Sequence, residues 1–372
     1  MHLSTPTRAS RRRFLAALPA LAVIGASRSE AAALTDDDVA KLLLPVRDKH
    51  KIPALAGAVI TARGVAAKGA VGVRKAGAEV AVTVDDLWHL GSNTKAMTAT
   101  LAALAVEAGK LRWESTLAEV FPACAGLKES PFAAVTLTHL LAHRAGLPHD
   151  IRWRDMKDRD EVVKAVAALK PVFPPGETFE YSNVGYALAG HMVENALGGT
   201  WENLMRERIF KPLGMAHAGF GGTGTIGQID QPWPHLPNGN PARTNGAAMD
   251  NPPVMGPAGI VHASLDDWAR FVADHLAGAA GHGALLKPET YRHLHTPSFG
   301  GTYAFGWKVT TRPWGGGAVL THGGSNTMNK SAAWLAPLKG FAVIACANQG
   351  GEVTTKACDD ASAAMIRAHN QS

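Results

Sequence analysis

The sequence predicts an α+β fold: an antiparallel sheet built from both chain ends and flanked by helices, plus a mainly helical lobe, with an active-site cleft between them. Three observations lead there. Strand-like apolar runs occur near the start of the chain and return near its end. Helical periodicity fills the stretch between them, from about 87 to 294. One long segment rich in Gly, Pro and Asn, 221–259, interrupts that helical stretch. A sheet shared by the two ends, with helices packed on it, is the economical way to bury all of these faces. Pockets concentrate where such lobes meet.

Taken in order, "LTDDDVAKLLLPVRDKHKIP" is a first helix. Thr35 is placed to cap it, three aspartates favour its positive end, and Val39, Leu42, Leu43 and Val46 form an apolar face. Pro45 is expected to shift or end it. "ALAGAVITARG" and "VAAKGAVGVRKAG" are two strands joined at Gly64. Helices are expected over 93–108, 136–143, 159–169, 184–197, 200–210, 264–277 and 287–294. The segment 221–259 is too rich in turn residues for long regular elements, and a loop of that length is usually functional or disordered. "YAFGWKVT", "AVLTHGGS", "KSAAWLAP" and "FAVIACANQ" are the returning strands, with a last helix near 354–369.

Composition narrows the function classes. With 372 residues, 46% hydrophobic and 18% charged, the chain is globular rather than disordered. The net charge of +6 is concentrated at the start, where residues 1–33 hold five arginines against the single acid Glu30. The remainder has no Lys/Arg cluster, which argues against a nucleic-acid partner. The start itself, "ASRRRFLAALPALAVIGASRSEAAALTDDD", has a positive region, an apolar run over 14–26 broken by Pro19, and small residues before Leu34. That run is too short to span a bilayer, which needs about 20 residues. Residues 1–33 are therefore expected to be a signal peptide, with no stable membrane span after its cleavage. "SRRRFL" resembles the twin-arginine export signal, which implies a periplasmic or secreted protein. Cys124, Cys346 and Cys358 form no C-x-x-C. They are expected to be small buried hydrophobes, with a Cys346–Cys358 disulfide left open.

Chemistry enters at "HLGSNTKAMTATLAALAVEAGKL". Ser92 stands where a helix begins and Lys95 follows one turn on, on the same face. Helix-terminal N–H groups favour negative charge there, and a desolvated lysine has a lowered pKa and can take the serine proton. A helix cap followed by a solvated lysine looks the same, and such a tetrad arises by chance. Two further stretches bear on the choice. Tyr181-Ser182-Asn183 precedes a helix pattern; Tyr181 is either a phenolate or proton relay or a half-buried aromatic, and Asn183 either a substrate ligand or a cap. His322-Gly323-Gly324 ends an apolar strand, where glycines would let a substrate backbone lie along the edge, or is a Gly-rich turn.

In this order the three segments resemble the serine β-lactamase (class C type), DD-peptidase and family VIII esterase superfamily, whose motifs run Ser-x-x-Lys, Tyr-x-Asn, then Lys/His-x-Gly. "VTLTHLLAHRAGLP", "PPGETFEYSNVGY", "GPAGIVHASLDDWARF" and "YAFGW" also look familial, so the likeness covers nearly all of the chain after Leu34. It implies one serine hydrolase domain over 34–372, with an α/β lobe at 34–88 and 300–372 and a helical lobe at 89–299. It implies catalytic residues Ser92, Lys95 (base) and Tyr181 (relay), and an oxyanion hole from the N–H groups of Ser92 and Ser325. It implies Asn183, His322, Gly323 and Gly324 as substrate contacts, a small-molecule or peptide substrate, and no cofactor or metal.

One departure matters. β-Lactamases of this type carry Lys-Thr-Gly as the third motif, whereas this chain has a histidine, only partly charged near neutrality, and a glycine without a hydroxyl. That weakens the case for a free carboxylate and so for efficient penicillin hydrolysis. An esterase, amidase or D-amino-acid peptidase fits better. The alternative from another class is a non-hydrolytic penicillin-binding-like sensor. His139 and His143 have the spacing of a zinc pair, but position 140 is leucine, so packing or capping is expected of both. Trp233, His235, Asn238 and Asn240 are candidates for lining the pocket from the long loop.

Overall fold

Strand β1 (Ala54–Thr61) is buried at nearly every residue, which an apolar run without alternation requires. In the computed structural model, which describes residues 1–2 and 33–371, this strand joins the two ends of the chain. It pairs with β2 (Gly64–Gly72) on one side and with β9 (Phe341–Ala347) on the other. The sheet continues through β8 (Lys330–Ala336) and β7 (Gly317–Ser325) to β6 (Lys308–Arg312), antiparallel throughout. The signal-peptide reading falls on residues outside those described, apart from its two ends.

Period-two alternation sorts β1 onto two cores. Ala54, Ala56, Ala58 and Ile60 face the core shared with the central helices. Leu55 and Val59 face a second core with Val39 and Leu43 of the helix Asp36–His50 and Met365 and Ile366 of the helix Glu352–Gln371. The first of these helices has the expected cap, with Thr35 and Asp38 exchanging side-chain and backbone bonds. Pro45 does not end it. The ring is exposed and the helix runs on to Lys51, which closes it in the left-handed conformation at φ 52°. The carbonyl that Pro45 leaves unpaired lies on the solvent side, where water can satisfy it.

The central helices follow the periodic segments, among them Thr94–Glu107, Leu137–Leu141, Arg159–Ala167, Asn183–Leu197, Leu265–Ala279 and Pro288–Leu294. "YAFGWKVT" departs from expectation, since its strand begins only at Lys308. Gly306, at φ 80°, presses its backbone on the helix 94–107, where an added Cβ would lie 2.4 Å from Ala96 Cα. A small sheet of β3 (Trp88–His89), β5 (Val261–Ala263) and β4 (Gly219–Phe220) was not legible, because strands of two or three residues carry no period.

The long loop 221–259 holds only short helical turns. Arg159 fixes its end to the helical region. The buried guanidinium is paired with Glu194 and with Glu202 at 2.6 Å, and donates to the carbonyls of Pro253 and Val254 at 3.0 and 3.3 Å. A charge buried in this way must be fully paired. All three cysteines are free, with Cys346 and Cys358 buried. Among the described residues no helix is long and apolar enough to cross a membrane.

Candidate active site

Ser92 lies in a tight 3-10 turn, Gly91–Asn93, between β3 and the helix Thr94–Glu107. Two glycines let this turn sit directly on β7. Gly91 is at φ 50°, and a Cβ there would fall 2.2 Å from the Ser325 nitrogen. A Cβ on Gly324 would fall 1.9 Å from the Leu90 carbonyl oxygen. Ser331 locks the contact by donating to Leu90 O at 2.7 Å and accepting from Asn93 Nδ2 at 2.8 Å. The helix has no side-chain cap, so the Ser92 hydroxyl is not spent on one. It accepts instead from Lys95 Nζ at 3.1 Å.

Lys95 is fully buried. Its amine also donates to Asn183 Oδ1 and to the Ala258 carbonyl, both at 2.7 Å. Burial lowers its pKa to about 7, partly opposed by the negative charge of Asp150. As an ammonium it uses three donors on three acceptors. As an amine it keeps Asn183 and Ala258 and turns its lone pair on the Ser92 hydroxyl.

Tyr181 closes the group from the helical side. Its ring centre lies 4.8 Å from Lys95 Nζ, and its hydroxyl is near enough to Ser92 for the two to interact. Burial pushes the phenol above its ordinary value, so a standing phenolate is excluded and Tyr181 enters the site carrying its proton. Ser182, not Asn183, caps the following helix, accepting from Gly185 N at 3.1 Å. Asn183 is committed at both ends, to Lys95 and, through Nδ2, to Asp150 Oδ1 at 3.0 Å. Asp150, which sequence reasoning missed, is also held by Trp153 Nε1 at 2.8 Å and by His149 Nδ1 at 2.5 Å. It belongs to none of the three motifs, and only folding brings it to Asn183.

These residues open on a cleft of about 610 Å³, lined by Ser92, Tyr181, Asn183, Gly323, Gly324 and Ser325. A depression of about 840 Å³ by Arg112, Cys124 and Lys164 holds none of them. β6 covers β7 only over 317–321, and among the described residues no strand takes its edge over 322–325. A Cβ on Gly323 would meet nothing nearer than 3.9 Å, so its missing side chain leaves cleft space.

Comparison with known proteins places the chain in a family. The family model Beta-lactamase matches residues 33–364. The chain belongs to the Beta-lactamase family. It is a serine hydrolase of that family. Penicillin-binding protein 4 of Amycolatopsis lactamdurans is 29% identical over 339 residues, covering 83% of this chain and 84% of that protein. Unguisins hydrolase ungD' of Aspergillus campestris is 26% identical over 333 residues, covering 84% of this chain and 61% of that protein. A class C beta-lactamase structure from Rhodobacter sphaeroides superposes with a TM-score of 0.72 at 22% identity, over 90% of this chain and 99% of that one, which establishes the fold.

Several expected residues of this Beta-lactamase-family chain lie elsewhere than the sequence suggests. His322 is buried rather than cleft-lining. Its Nδ1 donates to the Gly323 carbonyl at 2.7 Å, which leaves Nε2 to accept from Tyr303 at 3.0 Å. Burial and the nearby Lys95 lower its pKa to about 3, so it is neutral, not partly charged. Trp233 donates to Ala242 O at 2.8 Å, and the fully buried His235 is bonded to Asn348 O and Ala76 N. Asn238 and Asn240 lie in the turn behind it; Asn251, Pro252, Met255 and Gly259 line the cleft instead. His139 caps its own helix, and His143 accepts from Ser182 N at 3.0 Å with its ring 4.3 Å from that of Tyr181.

Lys95 makes stability depend on pH. Its folded pKa of about 7 lies below its ordinary 10.5, so between those values the unfolded chain holds a proton that the folded chain lacks. Stability therefore rises with pH across that window and is lowest below it. In urea titrations, the wild-type stability minus that of Lys95→Met should grow steadily from about pH 7 to about pH 10. A difference that stays flat with pH contradicts the buried neutral amine.

Proposed function

We propose that the protein is an exported hydrolase that forms an acyl-enzyme on Ser92 and cleaves an ester or amide, as an esterase or D-amino-acid peptidase rather than an efficient β-lactamase. The observation that carries this reading is the buried Lys95 amine 3.1 Å from Ser92 Oγ, with its pKa near neutrality. A base poised near the working pH is the one most effective at removing a proton.

In the proposed reaction, neutral Lys95 takes the Ser92 proton as Oγ attacks the carbonyl carbon. The C=O pair moves to oxygen, and the N–H groups of Ser92 and Ser325 hold the oxyanion. Tyr181 passes its proton to the leaving group and is reprotonated by Lys95, so the carbon–leaving-group bond breaks with charge balanced. Water then repeats the sequence on the acyl-enzyme. Two aimed N–H donors lower such a barrier by several kcal/mol, about 3 to 4 for each when one is removed. Lys95 stays close to Asn183 and Ala258 O in both protonation states, which limits reorganisation.

The acyl preference follows from the third motif. His322 is neutral and turned to Tyr303, and Gly323 supplies no hydroxyl, so a substrate carboxylate finds no fixed charge there. The uncovered edge of β7 suits an extended peptide or acyl chain, which can add as a strand. Names among the relatives, a penicillin-binding protein and an unguisins hydrolase, support a range of acyl compounds over one antibiotic class. We further propose export through the Arg11-Arg12-Arg13 segment; lysines at all three positions should retain the precursor inside the cell in a fractionation assay, and unchanged export contradicts it.

Purified protein should hydrolyse a p-nitrophenyl ester, and Ser92→Ala should lower kcat by about a thousandfold or more. Below about pH 7, kcat/KM should fall tenfold per unit as Lys95 takes up its proton. Turnover that survives in Ser92→Ala contradicts the assignment of the nucleophile.

A further inference from the structure

One carboxylate that the reaction does not use is tied to both backbone segments of the oxyanion hole. Asp250, in the long loop, has its side chain 1% exposed and faces His89, whose side chain is 2% exposed. His89 Nε2 lies 2.9 Å from Asp250 Oδ1 and 3.0 Å from Oδ2. The other ring nitrogen, Nδ1, accepts from Gly91 N at 3.1 Å. That contact fixes the tautomer: the ring proton is on Nε2 and points at the carboxylate. On its second side Asp250 Oδ1 accepts from Asn326 Nδ2 at 3.0 Å. Asn326 is itself oriented, its Oδ1 accepting from Met328 N at 3.3 Å and from Asn329 Nδ2 at 3.0 Å.

Gly91 immediately precedes Ser92, and Asn326 immediately follows Ser325. The two N–H groups assigned to the oxyanion therefore each lie one residue from a group bonded, directly or through His89, to the same carboxylate. We propose that Asp250 is the positioning residue of the oxyanion hole, fixing the distance between the Ser92 and Ser325 amides from behind the cleft. This rests on the reading of those amides as the hole.

Three physical points support it. Burying a carboxylate without a contacting Lys or Arg is unfavourable, and packing alone would be better served by an apolar residue. Electrostatic attraction to the His89 ring, with hydrogen bonds from His89 and Asn326, offsets that burial and holds the acid below its ordinary pKa. The clamp also spans two segments that meet through the glycine contacts of Gly91 and Gly324 and the Ser331 hydroxyl. Small errors in donor placement are costly in catalysis, so a rigid tie at this point acts on rate more than on substrate binding. Asp250 touches no reacting atom and does not line the cleft.

Asp250→Asn keeps the shape but removes the charge and sets an NH2 against either His89 Nε2–H or Asn326 Nδ2, so the hold on at least one arm is weakened. In the full-length mature protein, kcat for a p-nitrophenyl ester should fall about 10- to 100-fold with KM within about twofold. The affinity for an alkyl boronic acid, whose tetrahedral adduct places an oxygen in the hole, should fall by the same factor. A role confined to folding would lower Tm and leave both values per folded molecule unchanged, and that result overturns the proposal. If Asp250→Asn does not fold, Asn326→Ala removes one arm only. It should lower kcat and boronate affinity in parallel by several-fold, and unchanged values there overturn the proposal too. Ser92→Ala run alongside separates the two failures. Turnover surviving in that variant defeats the serine reading, whereas turnover lost there but kept in Asp250→Asn defeats this one alone.

Discussion

A lysine amine without access to water is the constraint on which the rest of this site depends. The helix Thr94–Glu107 is buried on almost every side, so Lys95 has no route by which to reach solvent. Its three donors must find acceptors inside the protein, and they find Ser92, Asn183 and the Ala258 carbonyl. A carboxylate in direct contact would fix the ammonium and abolish it as a base. Asp150 is instead held one residue away, behind Asn183, where its charge partly restores the proton affinity that burial removes. The remaining titratable neighbours, His143, His322 and Tyr181, are each driven towards their neutral forms by the same dry surroundings. The result is an amine balanced near neutrality beside a serine hydroxyl.

Backbone proximity is the second requirement, and it rests on what is missing from side chains. Gly91 and Gly324 bring the serine turn and β7 together more closely than any Cβ would permit. The loop 221–259 then acts from outside, with Arg159 anchoring its later part to three helices and Asp250 reaching the segments around Ser92 and Ser325. A stretch without regular structure thus lies against the most exacting part of the site, as expected of a long loop kept in a folded chain.

Much of this was legible in the sequence for identifiable reasons. The sheet from both chain ends followed from where the apolar runs lie, and the helical region from its 3.6-residue period. Ser92, Lys95 and Tyr181 were marked by the order of short motifs, and the structure brings them together. What failed shares one cause, which is that contact between distant segments leaves no local pattern. Asp150, Asp250 and Asn326 belong to no motif, and each acquires its partners only in the folded chain. His322 was read as a partly charged cleft residue because nothing local announces Tyr303, whose hydroxyl closes its second nitrogen. Trp233 and His235 were proposed for the cleft on composition, but their polar atoms are taken by neighbouring backbone. Pro45 marked a helix end only on local rules, which an exposed position relaxes.

The open chemical question is which acyl group enters a cleft whose third motif presents a neutral histidine and a bare glycine. The central claim, that Ser92 is the residue acylated, is tested most directly by intact mass and peptide mapping after brief exposure to a panel of esters, D-amino-acid peptides and β-lactams. A covalent adduct of acyl mass is expected on the peptide bearing Ser92, strongest with an uncharged acyl donor and absent when Lys95 is replaced by Met. An adduct confined to another residue, or steady hydrolysis with no adduct on Ser92 under rapid quench, would contradict it.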